Sequence, residues 1–393
     1  MSTETRQYPD NVVETYRKLL KHLNGSWYMV PESEDMLKMV MYRFDPEDAE
    51  FLLDFSLMPR SLDDLAAIIG MKKDELAKKL DGLSAKGLLY RYTRGEQVYY
   101  YLQDLFSLWR TYGWPGPKAD NRVEIANFID HAFPEFMSPF KEVSEKGLRV
   151  LPLDQTVEDP KTILPYEEVK KVLDSYTYFC VTRCGCREKK NIAEHTPDCK
   201  YPSEVCLHFD KLAHYIVENG LGREISRQEA QDILRRCADL GLVHGISNQQ
   251  KGTDTICNCC RCCCMWFETM DRCKHLGTLA PSNYRIQIDE STCTGCGLCV
   301  KRCPMEALSL KEEPSAKGRK TIIKEEAREK SLVNKTGKVS QAKIEYCIGC
   351  GVCAYKCPSK SLILKRNEVE HHPPETGRDW MVQFTSQSRG KTS

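Results

Sequence analysis

Cys293-Thr294-Gly295-Cys296-Gly297-Leu298-Cys299-Val300-Lys301-Arg302-Cys303-Pro304 is the stretch on which the fold turns, because it returns 54 residues later as Cys347-Ile348-Gly349-Cys350-Gly351-Val352-Cys353-Ala354-Tyr355-Lys356-Cys357-Pro358. Every cysteine, both glycines and the proline recur, and Leu308 and Leu310 are matched by Leu362 and Leu364. This is an internal duplication. Within each copy the first three cysteines are close enough for one loop to wrap three corners of a metal cage, with the glycines relieving crowding beside the sulfurs. The fourth corner needs a more distant cysteine.

The 21 cysteines are confined between Cys180 and Cys357, and the first 179 residues have none. Disulfide scaffolds are short, secreted and stapled along their length, whereas this chain of 393 residues opens on Met1-Ser2-Thr3-Glu4-Thr5-Arg6, without the apolar segment of a signal peptide. Thiols bunched as Cys259-Cys260 and Cys262-Cys263-Cys264 repel one another as thiolates unless a cation holds them. Metal ligation is the better reading.

The duplicated run matches the bacterial iron-sulfur pattern Cys-x2-Cys-x2-Cys-x3-Cys-Pro without a gap, and over residues 284 to 366 the sequence resembles the two-cluster bacterial ferredoxins. In that family the cysteine before proline ligates the other cluster. The resemblance therefore implies one 4Fe-4S cube on Cys293, Cys296, Cys299 and Cys357, and a second on Cys347, Cys350, Cys353 and Cys303. Zinc is the alternative, but four ligands in one pocket satisfy zinc and do not account for two three-plus-one runs. The sequence departs from a minimal ferredoxin in the 43 residues between Cys303 and Cys347. Within them residues 311 to 343, with 10 Lys and Arg against 5 Asp and Glu, read as an exposed, solvated insertion.

Spacing does not solve the remaining cysteines. Cys184, Cys186, Cys199 and Cys206 form one candidate group and Cys257, Cys259, Cys260, Cys263 and Cys264 a second pool, with mixing between them left open. They supply thiolates for one or two further centres, read as iron-sulfur because an iron-loaded domain adjoins them. Consecutive cysteines in an extended segment point to opposite sides, so Cys259-Cys260 and Cys262-Cys263-Cys264 do not all face one cube. Arg187 and Arg261 sit inside these knots, where a guanidinium offsets thiolate charge; the plain alternative is a surface arginine. Cys180 and Cys237 read as small buried hydrophobes, and Cys273 is undecided. His195, His208 and His214 are more often structural than ligands.

Upstream, Ser61 caps a helix with Leu62, Leu65 and Ile69 on one face and Gly70 as its stop, and Lys72 to Leu83 makes a second with Leu76, Leu80 and Leu83 in a stripe. Two tyrosine-rich strands follow, Leu88 to Thr93 and Gln97 to Leu102. Helix, turn, helix and hairpin resemble a winged helix-turn-helix over residues 45 to 105. That family sets its second helix in the DNA major groove. Here residues 1 to 120 carry 16 basic against 19 acidic residues, and Lys72, Lys73, Lys78 and Lys79 alternate with Asp74, Glu75 and Asp81. A scaffold or protein-docking role is expected ahead of a nucleic-acid one.

Composition is globular, 41% hydrophobic and 29% charged with a net charge of +1, and the expected fold class is a multidomain α+β chain. Its expected divisions are a winged-helix-like unit over 1–120, a proline-broken connector over 121–165, a cysteine-rich α/β middle domain over 166–280, a two-cluster ferredoxin domain over 281–368 and a tail over 369–393. Ser226 and Glu229 open the clear helix of the middle domain, with Ala230, Ile233, Leu234 and Cys237 inward and Gly241 at its end. No stretch approaches the ~20 apolar residues of a membrane span. A dinucleotide fingerprint, Walker loop, nucleophile elbow, zinc-protease motif and clear radical-SAM loop are all missing. The expectation is a cytoplasmic carrier, or a subunit of an oxidoreductase, that exchanges single electrons with a redox partner protein in anaerobic metabolism. Two rivals stand: an iron-sulfur redox-sensing transcription regulator, and an iron-sulfur oxidoreductase with its site in the middle domain.

Overall fold

The computed structural model describes residues 8–111, 122–141, 143–193, 199–273, 278–325 and 328–389. Three helices, Asp10–Leu23, Glu34–Arg43 and Pro46–Phe51, lead into the N-terminal unit. Ser61 Oγ accepts from the Asp64 amide (3.1 Å) and so starts the helix Leu62–Ile69, which Gly70 ends in a left-handed turn at φ 75°. The next helix, Lys73–Ala85, buries Leu76, Leu80 and Leu83. Strands Leu89–Arg94 and Gln97–Leu102 form a hairpin, and the short strand Arg60–Ser61 pairs with the second of them. This hairpin lies on the middle domain. Tyr90 stacks on Tyr215 at 4.6 Å, Arg91 donates to Glu218 (2.6 Å), and Gln103 Nε2 donates to the Tyr215 hydroxyl (3.1 Å).

Six strands form the middle sheet, in the order Leu148–Val150, Val243–Ser247, Thr255–Cys259, Glu204–Phe209, Phe179–Arg183 and Arg223–Ile225. Every neighbouring pair is antiparallel, which makes the domain α+β and corrects the α/β expectation. For one of these pairs chain length decides: too few residues join Val243–Ser247 to Thr255–Cys259 for the crossover that a parallel pair needs. Helix Arg227–Leu240 turns Ala230, Ile233, Leu234 and Cys237 inward, with Ser226 Oγ accepting from the Glu229 amide at 3.1 Å and Gly241 closing it at φ 89°.

Buried in this sheet, His244 hydrogen bonds through Nδ1 to Asn258 Oδ1 (2.7 Å), and burial pulls its pKa down to about 4. The unfolded chain takes up a proton here near pH 6.5, which the folded chain refuses until about pH 4. His244 therefore stabilises the fold above pH 6.5 and loses that contribution as the pH falls between the two values. Across the window the loss is up to about 3 kcal/mol. Chemical denaturation at pH 7 and pH 5 should show a smaller acid penalty for His244→Gln than for the native chain.

In the C-terminal domain the copies interlock. Tyr284–Ile288 pairs with Leu362–Arg366 and Leu308–Glu312 with Lys338–Ala342, so each two-stranded sheet takes one strand from each copy. The insertion, expected to be a solvated loop, instead contains a hairpin of Lys320–Glu325 and Arg328–Val333 that buries Thr321 and Ile323. Asn334 Nδ2 then donates to Cys293 O at 3.0 Å. Strand alternation was hidden behind the charge count. The connector reaches the other copy, where the Leu153 amide donates to Cys350 O (3.2 Å) and Val157 bridges Leu364. Beyond it, the segment expected to be a tail holds the helix Gly377–Arg389, whose buried Trp380 and Phe384 pack on Trp27. Among the described residues no helix is long and apolar enough to cross a membrane.

Candidate iron-sulfur and metal centres

The duplicated loops repeat one backbone. Gly295 and Gly297 stand at φ 62° and 70°, Gly349 and Gly351 at 65° and 75°, and the turns behind them hold Glu306 and Lys360 at 53° and 50°. A Cβ on Gly295 would lie 2.2 Å from Thr336 Oγ1 and 2.3 Å from Lys338 O, and one on Gly349 would lie 2.1 Å from Ser282 Oγ and 2.5 Å from Tyr284 O. Glycine is required by space as well as by φ. Gly349→Ala is expected to lose roughly 2 to 4 kcal/mol through strain and overpacking. Urea unfolding of the iron-loaded protein, with iron analysis alongside, measures both the stability and the loading.

Cys293, Cys296, Cys299 and Cys357 line one small cavity, together with Pro358. Cys347, Cys350, Cys353 and Cys303 line a second, together with Pro304. Each cavity takes three sulfurs from one copy and one from the other. Backbone amides address these sulfurs: Ser340 N–H donates to Cys293 Sγ (3.4 Å), Ala307 N–H to Cys303 Sγ (3.3 Å), and Ile286 N–H to Cys347. Burial pushes the Cys350 thiol up to about 12 and raises Cys299 and Cys353, so these groups ionise readily only beside a compensating cation. Four soft donors per cavity, amide hydrogen bonds to sulfur and turns without room for a Cβ fit a 4Fe-4S cube. The copies differ in exposure, with Cys296 open to solvent and its counterpart Cys350 buried.

Residues 292–361 match the family described as 4Fe-4S dicluster domain. The chain is 39% identical to Ferredoxin-3 of Rhodobacter capsulatus over 80 residues, which span 20% of this chain and 76% of the relative. Through its C-terminal domain the chain belongs to the ferredoxins. No solved structure matches it. An iron-sulfur domain of this family suggests electron transfer.

Upstream of the ferredoxin domain the sulfurs sort into two sets. Cys199, Cys260, Cys262 and Cys263 have their Sγ atoms all within 4.8 Å of one another. The other set is a run of sulfur contacts from Cys206 through Cys257, Cys259, Cys264 and Cys186 to Cys184. Cys199 thus parts from Cys184, Cys186 and Cys206, its expected companions, and Cys262, left out of the second pool, is drawn in. The reason is local. Alternation sends Cys259 and Cys260 to opposite sides, but residues 261–263 form a turn that gathers Cys260, Cys262 and Cys263, and Cys264 returns to the far side as N-cap of the helix Met265–Arg272. Residues 261–263 contain no Gly, Pro, Asn, Asp or Ser, so no local signal marks the turn.

Arg187 is fully buried and donates to Pro202 O (2.9 Å) and Asn258 O (2.7 Å). Burial alone would lower its pKa, but Cys184, Cys260 and Cys199 outweigh burial and raise it, so a charged guanidinium stands between the two sulfur sets. Arg261 instead pairs with Asp271 (2.8 Å) and donates to Pro304 O (2.8 Å), tying the cysteine turn to the ferredoxin domain. Cys180 and Cys237 are buried, and burial pushes Cys237 up to about 12. Cys273 is half-buried beside Arg272 and Glu268. His208 sits in the core between Thr182 Oγ1 (3.0 Å) and Thr255 Oγ1 (2.9 Å), His214 stacks on Tyr178 at 3.8 Å, and His195 lies outside the described residues.

A cavity of about 610 Å³ opens beside the six-sulfur set, its lining including Cys184, Cys186, Cys264, Trp27, Trp266 and Asn248. Asn248 is 2% exposed, and neither atom of its side-chain amide has a partner among the described residues.

Proposed function

We propose that this chain is a multi-cluster electron-transfer protein. Cys293, Cys296, Cys299 and Cys357 hold one cube, Cys347, Cys350, Cys353 and Cys303 hold its twin, and the six-sulfur set of the middle domain holds a further iron-sulfur centre. The observation that carries this reading is the pair of cavities lined across the duplication. Such clusters supply one-electron carriers. The chain keeps the sites close. Arg302 donates to Ala238 O (2.9 Å) and Val352 O (3.1 Å), and Met305 and Cys350 share one buried cluster with Cys259 and Cys264. A redox partner meets the outward copy, where Cys296 and Leu298 are exposed.

The N-terminal unit, with its winged-helix arrangement, serves in this reading as scaffold and docking surface. Its hairpin is engaged by Tyr215 and Glu218, Lys73 pairs with Asp63, Lys86 with Asp45 and Asp48, and Lys79 lies over the Phe51 ring. Lys73, Lys79 and Lys86 are thus engaged within the unit, and 16 basic residues against 19 acidic over residues 1 to 120 make a poor field for phosphate. Salt-sensitive retention of a DNA fragment by the full chain would favour the regulator instead.

Anaerobic iron and sulfide analysis of the intact chain tests the leading reading. At least about eight irons with matching sulfide are expected, and fewer would overturn the two-cube assignment. The cavity beside the middle sulfurs and its unpartnered Asn248 favour a second reading, an oxidoreductase whose substrate meets the middle centre. An iron there with only three protein ligands distinguishes it from a pure relay.

A further inference from the structure

Three sulfur separations in the smaller middle-domain set identify the kind of centre it suits. Cys199 Sγ lies 3.9 Å from Cys260 Sγ and 3.7 Å from Cys262 Sγ, and Cys262 Sγ lies 3.6 Å from Cys263 Sγ. Four thiolates arranged tetrahedrally around one ion at ~2.3 Å stand about 3.8 Å from one another, the edge of that tetrahedron. In a cube each thiolate binds a different iron and projects from its own corner, so the four sulfurs stand well apart. The same chain supplies the comparison. Among the described residues this is the group of candidate ligands whose donor atoms fall within 4.8 Å of one another, and neither set of four ferredoxin cysteines does so. The separations are also far longer than the ~2.05 Å of a disulfide bond.

We propose that Cys199, Cys260, Cys262 and Cys263 bind a single metal ion, zinc or iron, in a closed tetrahedral thiolate site separate from every iron-sulfur cube. Binding exchanges the thiol protons for one divalent cation and involves no inorganic sulfide. The assembly carries a net negative charge, which Arg187, itself buried and in contact with Cys260, offsets. The ion clamps Cys199 onto a turn 61 residues further along, and Arg261 within that turn holds Pro304 O of the ferredoxin domain at 2.8 Å. The site therefore fastens the middle domain where it meets the cube-bearing loops. It stands independently of whether the chain carries electrons.

Metal and sulfide counted together test this on the intact, anaerobically purified chain. Cubes contribute iron and sulfide in equal number, so the excess of iron plus zinc over acid-labile sulfide counts single-ion sites. An excess of about one per chain is expected, in whichever element fills the site. Cys262→Ala, and Cys199→Ala from the other side of the site, should each remove that one ion and leave sulfide unchanged. Equal metal and sulfide in the native chain would overturn the proposal, as would a variant that sheds about four irons together with about four sulfides. Should both variants fail to fold, the native-chain excess decides alone. Failure of the two-cube reading shows separately, as low total sulfide with the excess intact.

Discussion

Cys357→Ala is expected to remove the cube of the other copy, the one on Cys293, Cys296 and Cys299, and to spare the cube on its own copy's loop. Iron and sulfide should each fall by about four per chain. The physical reason lies in the cavities: Cys357 lines the space enclosed by the first loop, whereas Cys303 lines that of the second. Pairwise combination makes the test sharp. Cys296→Ala with Cys357→Ala should lose no more iron than either change alone, because both strike one cube. Cys350→Ala with Cys357→Ala should lose about eight irons. The reverse pattern would show that each copy ligates its own cluster.

Arg187→Met should be the most damaging substitution outside the ligands. The guanidinium is wholly buried, donates to two backbone carbonyls and faces thiolates of both middle-domain sets. Removing one partner from a buried charge constellation leaves the rest uncompensated, and a loss of about 3 to 5 kcal/mol is expected. Arg187→Lys keeps the charge but not the planar fork, and should recover part of that loss. Anaerobic guanidinium unfolding of the two variants beside the native chain measures both values, and a stability unchanged in Arg187→Met would show that the guanidinium balances no charge there.

The ferredoxin loops were legible in the sequence because their information is local and stated twice: spacing, glycines and proline recur at a fixed offset, and the same φ values recur with them. The helix after Ser226 was equally legible, since cap, apolar stripe and terminating glycine agree. Other features depend on distance. Cys199 meets partners 61 and 63 residues away, a pairing that no spacing rule reaches. Cys262 escapes the strand pattern because the alternation of an extended segment does not survive the turn at residues 261–263. The helix at the C-terminus had a visible cue in Trp380 and Phe384, four residues apart, but what they pack on, Trp27, lies at the other end of the chain. In the insertion the charges outnumber the two inward residues, Thr321 and Ile323, that seat its hairpin.

Copying a loop does not copy its neighbourhood. One socket leaves Cys296 in water, while its replica is roofed by Leu153 and Thr156. Reduction adds negative charge, which hydration favours and burial does not. On the proposed reading, two sockets cast from one mould hold an added electron with unequal grip, and the current acquires a downhill direction that sequence identity between the repeats would never suggest.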